Sequence, residues 1–263
     1  MTDMLSTHYS SWFAYQLQEL ITRSHHRLTN MSQPSCRFVL FGTEFSGGRI
    51  MVDLLRRVVA DARYGPLPST WTLEPLLEQR HFFPLRHIQR HGWACSNYLF
   101  GFKLSAMDLI ATHGMSEPSR FVAILYEQGY KVIHLQRRDL MRHAIAVLKA
   151  HQPTSQRINP QALIATLKHL DEQRIAEAAI VSQVPHLTIT YETDLLDPNV
   201  HNATAQRLCR FLSLQQRQQA RYSMKLVHQR ISDLIANYDE VCAALECSDY
   251  AYVLTEASAK LVI

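Results

Sequence analysis

The sequence predicts an α/β fold, and two stretches carry that prediction. Each joins a short apolar run to an amphipathic helix through a polar turn. In the first, Phe38-Val39-Leu40-Phe41 has the continuous apolar pattern of a strand buried on both faces. Ile50, Leu54, Leu55 and Val58 then form the apolar stripe of a helix. In the second, Val132-Ile133-His134-Leu135 is the strand. Asp139 stands where it caps a helix whose apolar face is Met141, Ile145 and Leu148. Length is the third observation: 263 residues suffice for one large α/β domain with a full core and are short for two.

Composition narrows the function. Hydrophobic residues are 47% and charged residues 19%, an ordinary globular balance. A net charge of +4 and a pI near 8.8 suit an anionic cofactor. The excess is too weak and scattered to argue for nucleic acid. The five cysteines (Cys36, Cys95, Cys209, Cys242 and Cys247) are odd in number and make no C-x-x-C pair. That usage fits a reduced, cytoplasmic protein. No apolar run approaches a membrane span, and the N-terminus lacks the basic end and apolar core of a signal peptide. No membrane partner is expected.

Taken in order, residues 1–34 place Trp12, Leu17, Leu20 and Ile21 on one helical face. They read as an N-terminal helical extension of a domain spanning 35–263. Packing on the domain is its plain role; a homodimer contact or a cover over substrate is the sharper one. The turn after the first strand contains Gly42, Thr43, Glu44, Phe45, Ser46, Gly47, Gly48 and Arg49. Ser46 is placed to cap the following helix, and Gly47 and Gly48 let an anion approach the backbone. Strand, glycine turn and helix N-terminus together present N–H groups to a phosphate or sulfate. The plainer alternative is a turn that happens to use glycines. Residues 81–93 are rich in histidine, and His87, His91 and Cys95 fall at i, i+4 and i+8. A metal site is disfavoured, because three ligands on one helix rarely converge on one ion. His81, beside Phe82 and Phe83, is a candidate catalytic histidine or simply a residue of a substrate-side loop.

Residues 98–105 read as a strand with Lys103 near its end. Helices are expected at 106–112 and 120–128, with stops at Gly114 and Gly129. Residues 151–160 are a polar loop. Pro160 then starts a helix with Leu163, Leu167, Leu170 and Ile175 on its apolar face. Residues 186–191 alternate as a strand, and 203–212 read as a helix.

The segment GTEFSGGRIMVDLL, from Gly42, resembles the 5′-phosphosulfate loop of sulfotransferases that use 3′-phosphoadenosine 5′-phosphosulfate (PAPS). The closest form is the bacterial and plant-type consensus GTPRSGSTLLVDLL. Gly42, Thr43, Ser46, Gly47, Val52, Asp53, Leu54 and Leu55 are kept. Phe45 replaces the basic residue, and Gly48-Arg49 replaces Ser-Thr. A nucleotide-kinase P-loop ranks lower, since Gly48-Arg49 supplies neither its Lys nor its Ser or Thr. Arg138 and Asp139 match the family's 3′-phosphate motif. Ala146 stands in place of that motif's serine, with Arg137 and Arg142 able to compensate. Lys103 matches the lysine beside the transferred sulfate. The family's catalytic Glu falls on Pro66, which makes Glu74 the first candidate base and His81 the second. Tyr191, Glu192 and Leu195 match a V-x-YE-x-L segment, with Tyr191 and Glu192 in structural roles, and residues 234–245 resemble the IxNW-x-x-(V/L) helix of the same branch.

The resemblance runs in order from about residue 37 to 254. It implies a P-loop-like three-layer α/β sandwich with a mainly parallel central sheet flanked by helices. It implies transfer of a sulfuryl group from PAPS to a hydroxyl of a small-molecule acceptor, such as a natural product of secondary metabolism. The product is adenosine 3′,5′-bisphosphate, and no metal is required. The implied cofactor site takes residues 42–49 with Arg138, Arg142 and Ala146; the implied catalytic set is Lys103, Glu74 and His81. The alternative is a non-catalytic relative that binds a nucleotide or another ligand.

Overall fold

The computed structural model describes residues 36–58, 60–61, 65–66, 73, 75–94, 99–153, 155–214 and 230–259. The expected N-terminal helix, Glu74 and Cys95 lie outside them. The chain is α/β. Strands β1 (Cys36–Phe41), β4 (Leu99–Leu104), β5 (Tyr130–Gln136) and β6 (His186–Thr190) form one parallel sheet in the order β4-β1-β5-β6. Strands β2 (Ala60–Asp61) and β3 (Gly65–Pro66) make a separate antiparallel pair of two residues each. Pro66 belongs to β3.

Alternation along β1 splits its side chains between two cores. Phe38 and Leu40 join Ile133, Leu135 and Ile189 on one face. Helices α1 (Gly48–Val58) and α6 (His201–Leu212) cover it with Met51, Leu54, Leu55, Leu208 and Leu212. Val39 and Phe41 join Phe100, Phe102 and Val132 on the other. That face is covered by α2 (Pro84–Ala94), α3 (Pro118–Glu127) and the end of α5 (Pro160–Val181), through Leu85, Ile88, Phe121, Leu125 and Ile180. The result is helices, sheet, helices in three layers. Each fully buried Leu or Phe contributes about 1.5–3 kcal/mol.

A third cluster lies beside the sheet. It packs α4 (Leu140–His151) and the first half of α5 against α7 (Ile231–Leu234), α8 (Tyr238–Glu246) and α9 (Tyr252–Ala259). The helix expected over 234–245 is broken here. Asn237 turns inward: its side-chain oxygen accepts from the Ile158 N–H at 2.9 Å, and its amide donates to the Ile158 carbonyl at 2.8 Å. The segment expected as a helix at 106–112 is mostly a five-residue π-helical turn over Asp108–Thr112. Residues 191–195 leave β6 as a second such turn.

Strand order reverses at β1, which has β4 on one side and β5 on the other. In open α/β sheets the crevice outside such a switch point is where ligands bind. No helix among the described residues is long and apolar enough to cross a membrane.

Candidate functional site

Two strand-to-helix corners meet at the switch point. The first runs from β1 into α1 through residues 42–47. The Gly42 N–H donates to the Leu104 carbonyl at 3.0 Å. A Cβ on Gly42 would lie 2.4 Å from the Leu135 carbonyl oxygen, so only glycine fits between the strand ends. Ser46 is buried and does not cap α1 as the sequence suggests. Its hydroxyl donates to the Thr43 carbonyl at 2.7 Å, and that leaves the Thr43 hydroxyl to donate back to Ser46 Oγ at 2.9 Å. Gly47 takes the cap position, its carbonyl accepting from the Met51 N–H at 3.1 Å. Gly47 has φ of 101°, and a Cβ there would lie 2.6 Å from Tyr191. A Cβ on Gly48 would meet Leu40 and Leu135. Packing therefore requires glycine at Gly42 and Gly47.

Phe45 sits in the left-handed region with φ of 59°, a conformation costly for a residue with a Cβ. Two long-range hydrogen bonds hold it. Arg137 Nη1 donates to the Phe45 carbonyl at 2.9 Å, and His143 Nε2 lies 2.6 Å from the Glu44 carbonyl. A carbonyl only accepts, so Nε2 carries the imidazole proton. Burial pushes His143 down to about 4, which keeps it neutral near pH 7. The Arg137 guanidinium stacks on Tyr191 at 4.6 Å, and its buried Nε has no hydrogen-bond partner. Burial lowers its pKa, and no carboxylate among the described residues lies within ion-pair distance.

The Glu44 and Phe45 carbonyls are thus tied down, and no described side chain fills the start of α1. Its first turn holds no acidic residue, and no described side chain caps it. Arg49, in that turn, is exposed. This is a helix N-terminus of the kind that receives an anion.

The second corner, from β5 into α4, is already occupied. The Arg138 and Asp139 N–H groups donate to the two Glu192 carboxylate oxygens at 3.0 and 2.9 Å. Asp139 caps α4 by accepting from the Arg142 N–H at 3.0 Å, and the Arg142 side chain is 3.3 Å from the same carboxylate. The Arg138 side chain is exposed, and Ala146 is half-buried further along α4. Arg137, the immediate neighbour of Arg138, is the arginine that reaches the β1–α1 loop.

A cavity of about 340 Å³ opens beside the first corner, lined by Gly42, Thr43, Glu44, Lys103, Asp108 and Gln173 among others. Pro75 and Glu78 also line it. Asp108 accepts from the Ser105 N–H and hydroxyl at 2.7 and 2.8 Å. One turn beyond Gln173 on α5, Glu177 is 3% exposed and its Oε1 has no hydrogen-bond partner. Burial pushes it up to about 8; the Thr43 and Ala106 N–H groups and Lys103 oppose that shift, while Asp108 adds to it. His134 Nε2 lies 4.0 Å from Glu177 Oε2. His134 Nδ1 accepts from the Gln136 amide at 3.1 Å, which puts the ring proton on the nitrogen facing Glu177. Burial drives His134 down to about 4, so both partners are neutral near pH 7.

The structure thus brings Lys103 to the loop predicted from the sequence. It does not bring His81 there: His81 stacks on His87 at 3.7 Å, in a different concavity. No group of His, Cys, Asp and Glu among the described residues is arranged to hold a metal ion. His143, His134 and Glu177 were not singled out from the sequence. His134 and Glu177 are polar residues at positions that strand or helix periodicity assigns to the core, and that mismatch is the signal that marks them; His143 lies off the stripe of Met141, Ile145 and Leu148 and carries no such signal. Comparison of the chain with protein-family models, with curated proteins and with solved structures gives no match in any of the three.

Proposed function

We propose that the protein is a PAPS-dependent sulfotransferase with a P-loop-like anion site. One observation carries the reading: at the switch point the first turn of α1 holds no acidic residue and no described side-chain cap, and it lies beside a cavity lined by Lys103. The N–H groups at the start of α1 would receive the 5′-phosphosulfate, with Arg49 and Arg137 adding positive charge. At about 340 Å³ the cavity falls within the range of small-molecule sites. In the reaction the acceptor oxygen forms a bond to sulfur and the bond from sulfur to the 5′-phosphate oxygen breaks. The acceptor proton passes to a base, and adenosine 3′,5′-bisphosphate leaves. Lys103 would stabilise charge on the transferred group. The base is assigned to a carboxylate, Glu74 first and Asp108, which lines the cavity, second.

Calorimetric titration with adenosine 3′,5′-bisphosphate tests the binding half. Saturable binding supports the reading, and none at millimolar ligand removes it. A panel of hydroxylated acceptors with PAPS tests the chemistry. Phe45 at the usual basic position and Ala146 at the usual serine favour a second reading, a nucleotide-binding protein without transferase activity. Tight binding with no transfer to any acceptor would select it.

A further inference from the structure

Helix α2 and the residues before it form a second concavity, of about 690 Å³, lined by His81, Phe82, Phe83, Arg86, His87 and Arg90. Two kinds of side chain meet there, and core packing explains neither. Phe82 is 93% exposed and Phe83 41%, while Leu85 and Ile88 supply the buried face of the same helix. Arg86 and Arg90 are exposed on successive turns of α2, with His87 and His91 beside them. The His87 ring stacks on His81 at 3.7 Å and lies 4.6 Å from His91; His113 is 6.2 Å from His81.

Basic groups gather at this place. After burial, the groups that hold His87 below its usual pKa are His81, His91, Arg90 and His113. Among the described residues, Asp108 is the carboxylate that acts on the cluster, through His113, and it is engaged by Ser105. No carboxylate is among the described residues lining the concavity. A bound anion relieves such a cluster, and two exposed aromatic rings offer a flat apolar body a surface to stack on.

We propose that this concavity binds small organic anions with an aromatic body. The ring rests on Phe82 and Phe83, and the carboxylate, sulfate or phosphate group lies against Arg90 and His87. The site is separate from the one bordered by Lys103, and it stands whether or not the protein transfers sulfuryl groups.

Isothermal titration of the full chain with 2-naphthyl sulfate, 2-naphthoate, neutral 2-naphthol and inorganic sulfate tests it. Both aromatic anions should bind at least about tenfold tighter than either naphthol or inorganic sulfate. Binding should tighten as pH falls below about 6.5, where His87, its pKa lowered by burial and by its cationic neighbours, gains its proton. Arg90→Gln and Phe82→Ser should each weaken naphthyl sulfate by about tenfold or more with unchanged melting temperatures, since both side chains are exposed. Neither should alter the titration with adenosine 3′,5′-bisphosphate, which separates a failure here from a failure of the sulfotransferase reading. Equal affinity of both variants, equal binding of naphthol and naphthyl sulfate, or no binding at millimolar ligand would overturn the proposal.

Discussion

Two corners lie side by side at the edge of this sheet and treat the same electrostatic demand in opposite ways. Each delivers a parallel strand into a helix, and each leaves backbone N–H groups pointing outward. At the β5–α4 corner the chain answers with its own carboxylates: Glu192 takes two N–H groups and Asp139 takes a third. At the β1–α1 corner the described side chains instead hold carbonyls, through Arg137 and His143, and leave the donors alone. A corner closed by internal charge is architecture. A corner left positive, with an arginine behind it, is a place for a ligand.

Arg137→Ala should have the largest effect on that contrast. It should weaken adenosine 3′,5′-bisphosphate by about 2–5 kcal/mol, as expected when a buried charged partner is removed. Arg138→Ala, whose side chain is exposed, should cost well under that. Parallel calorimetric titrations decide; equal losses would return the role to Arg138.

Glu177 comes next, because it is a carboxylate beneath the open corner that burial keeps uncharged. Its pKa is raised from 4.5 to about 8 in the folded protein, so unfolding between those values releases a proton. Stability should therefore fall as pH rises through that window, by up to about 1.4 kcal/mol per pH unit from this group. Glu177→Gln should flatten this limb in urea unfolding measured at several pH values. His134 and His143 work in the other direction. Their depressed pKa values predict stability lost as pH falls from 6.5 to about 4. A limb of unchanged slope in the Gln variant would show that Glu177 is ionised in the native protein.

Glu192→Gln opens the closed corner. Losing hydrogen bonds to a charged group should cost about 1.5–3 kcal/mol and lower Tm by several degrees. Sulfate should then raise the Tm of the variant more than that of the wild type; identical sulfate responses would show that the corner had not opened. The smallest effect is expected from Arg49→Glu, which places an acid at the start of α1. Helix stability should rise by about 0.3–1 kcal/mol through the dipole. Adenosine 3′,5′-bisphosphate binding should fall sharply. A stabilised variant that still binds would separate α1 from the ligand.

The fold was largely legible because its signals are local. The apolar runs of β1 and β5 and the stripe Leu163, Leu167 and Leu170 fixed strands and helices with no knowledge of their partners. Asp139 capped as its position suggested. Local reading failed where a distant group decides. Asn237 breaks the expected helix because Ile158, far back in the chain, offers its amide both bonds. Ser46 turns to Thr43, and Gly47 is needed because Tyr191 packs against it. The same logic separates Arg137 from Arg138. Adjacent side chains leave a strand end in different directions, and the choice here depends on the Phe45 carbonyl and the Tyr191 ring. Loop residues 42–47 and Lys103 were visible as a pair of motifs; that Gly42, Thr43 and Glu44 share one cavity with Lys103 required the parallel register of β1 and β4.

The Asn237 contact with Ile158 has a dynamic consequence. One side-chain amide forms the donor and acceptor pair that a neighbouring strand would supply, and it ties the turn between α7 and α8 to the chain entering α5. To expose the Ile158 amide, that turn must leave Ile158. Hydrogen exchange at Ile158, just ahead of the α5 N-terminus, should therefore be slow and should share its opening energy with amides in α8. The last helices then behave as a latch on α5, and they come away from the domain together.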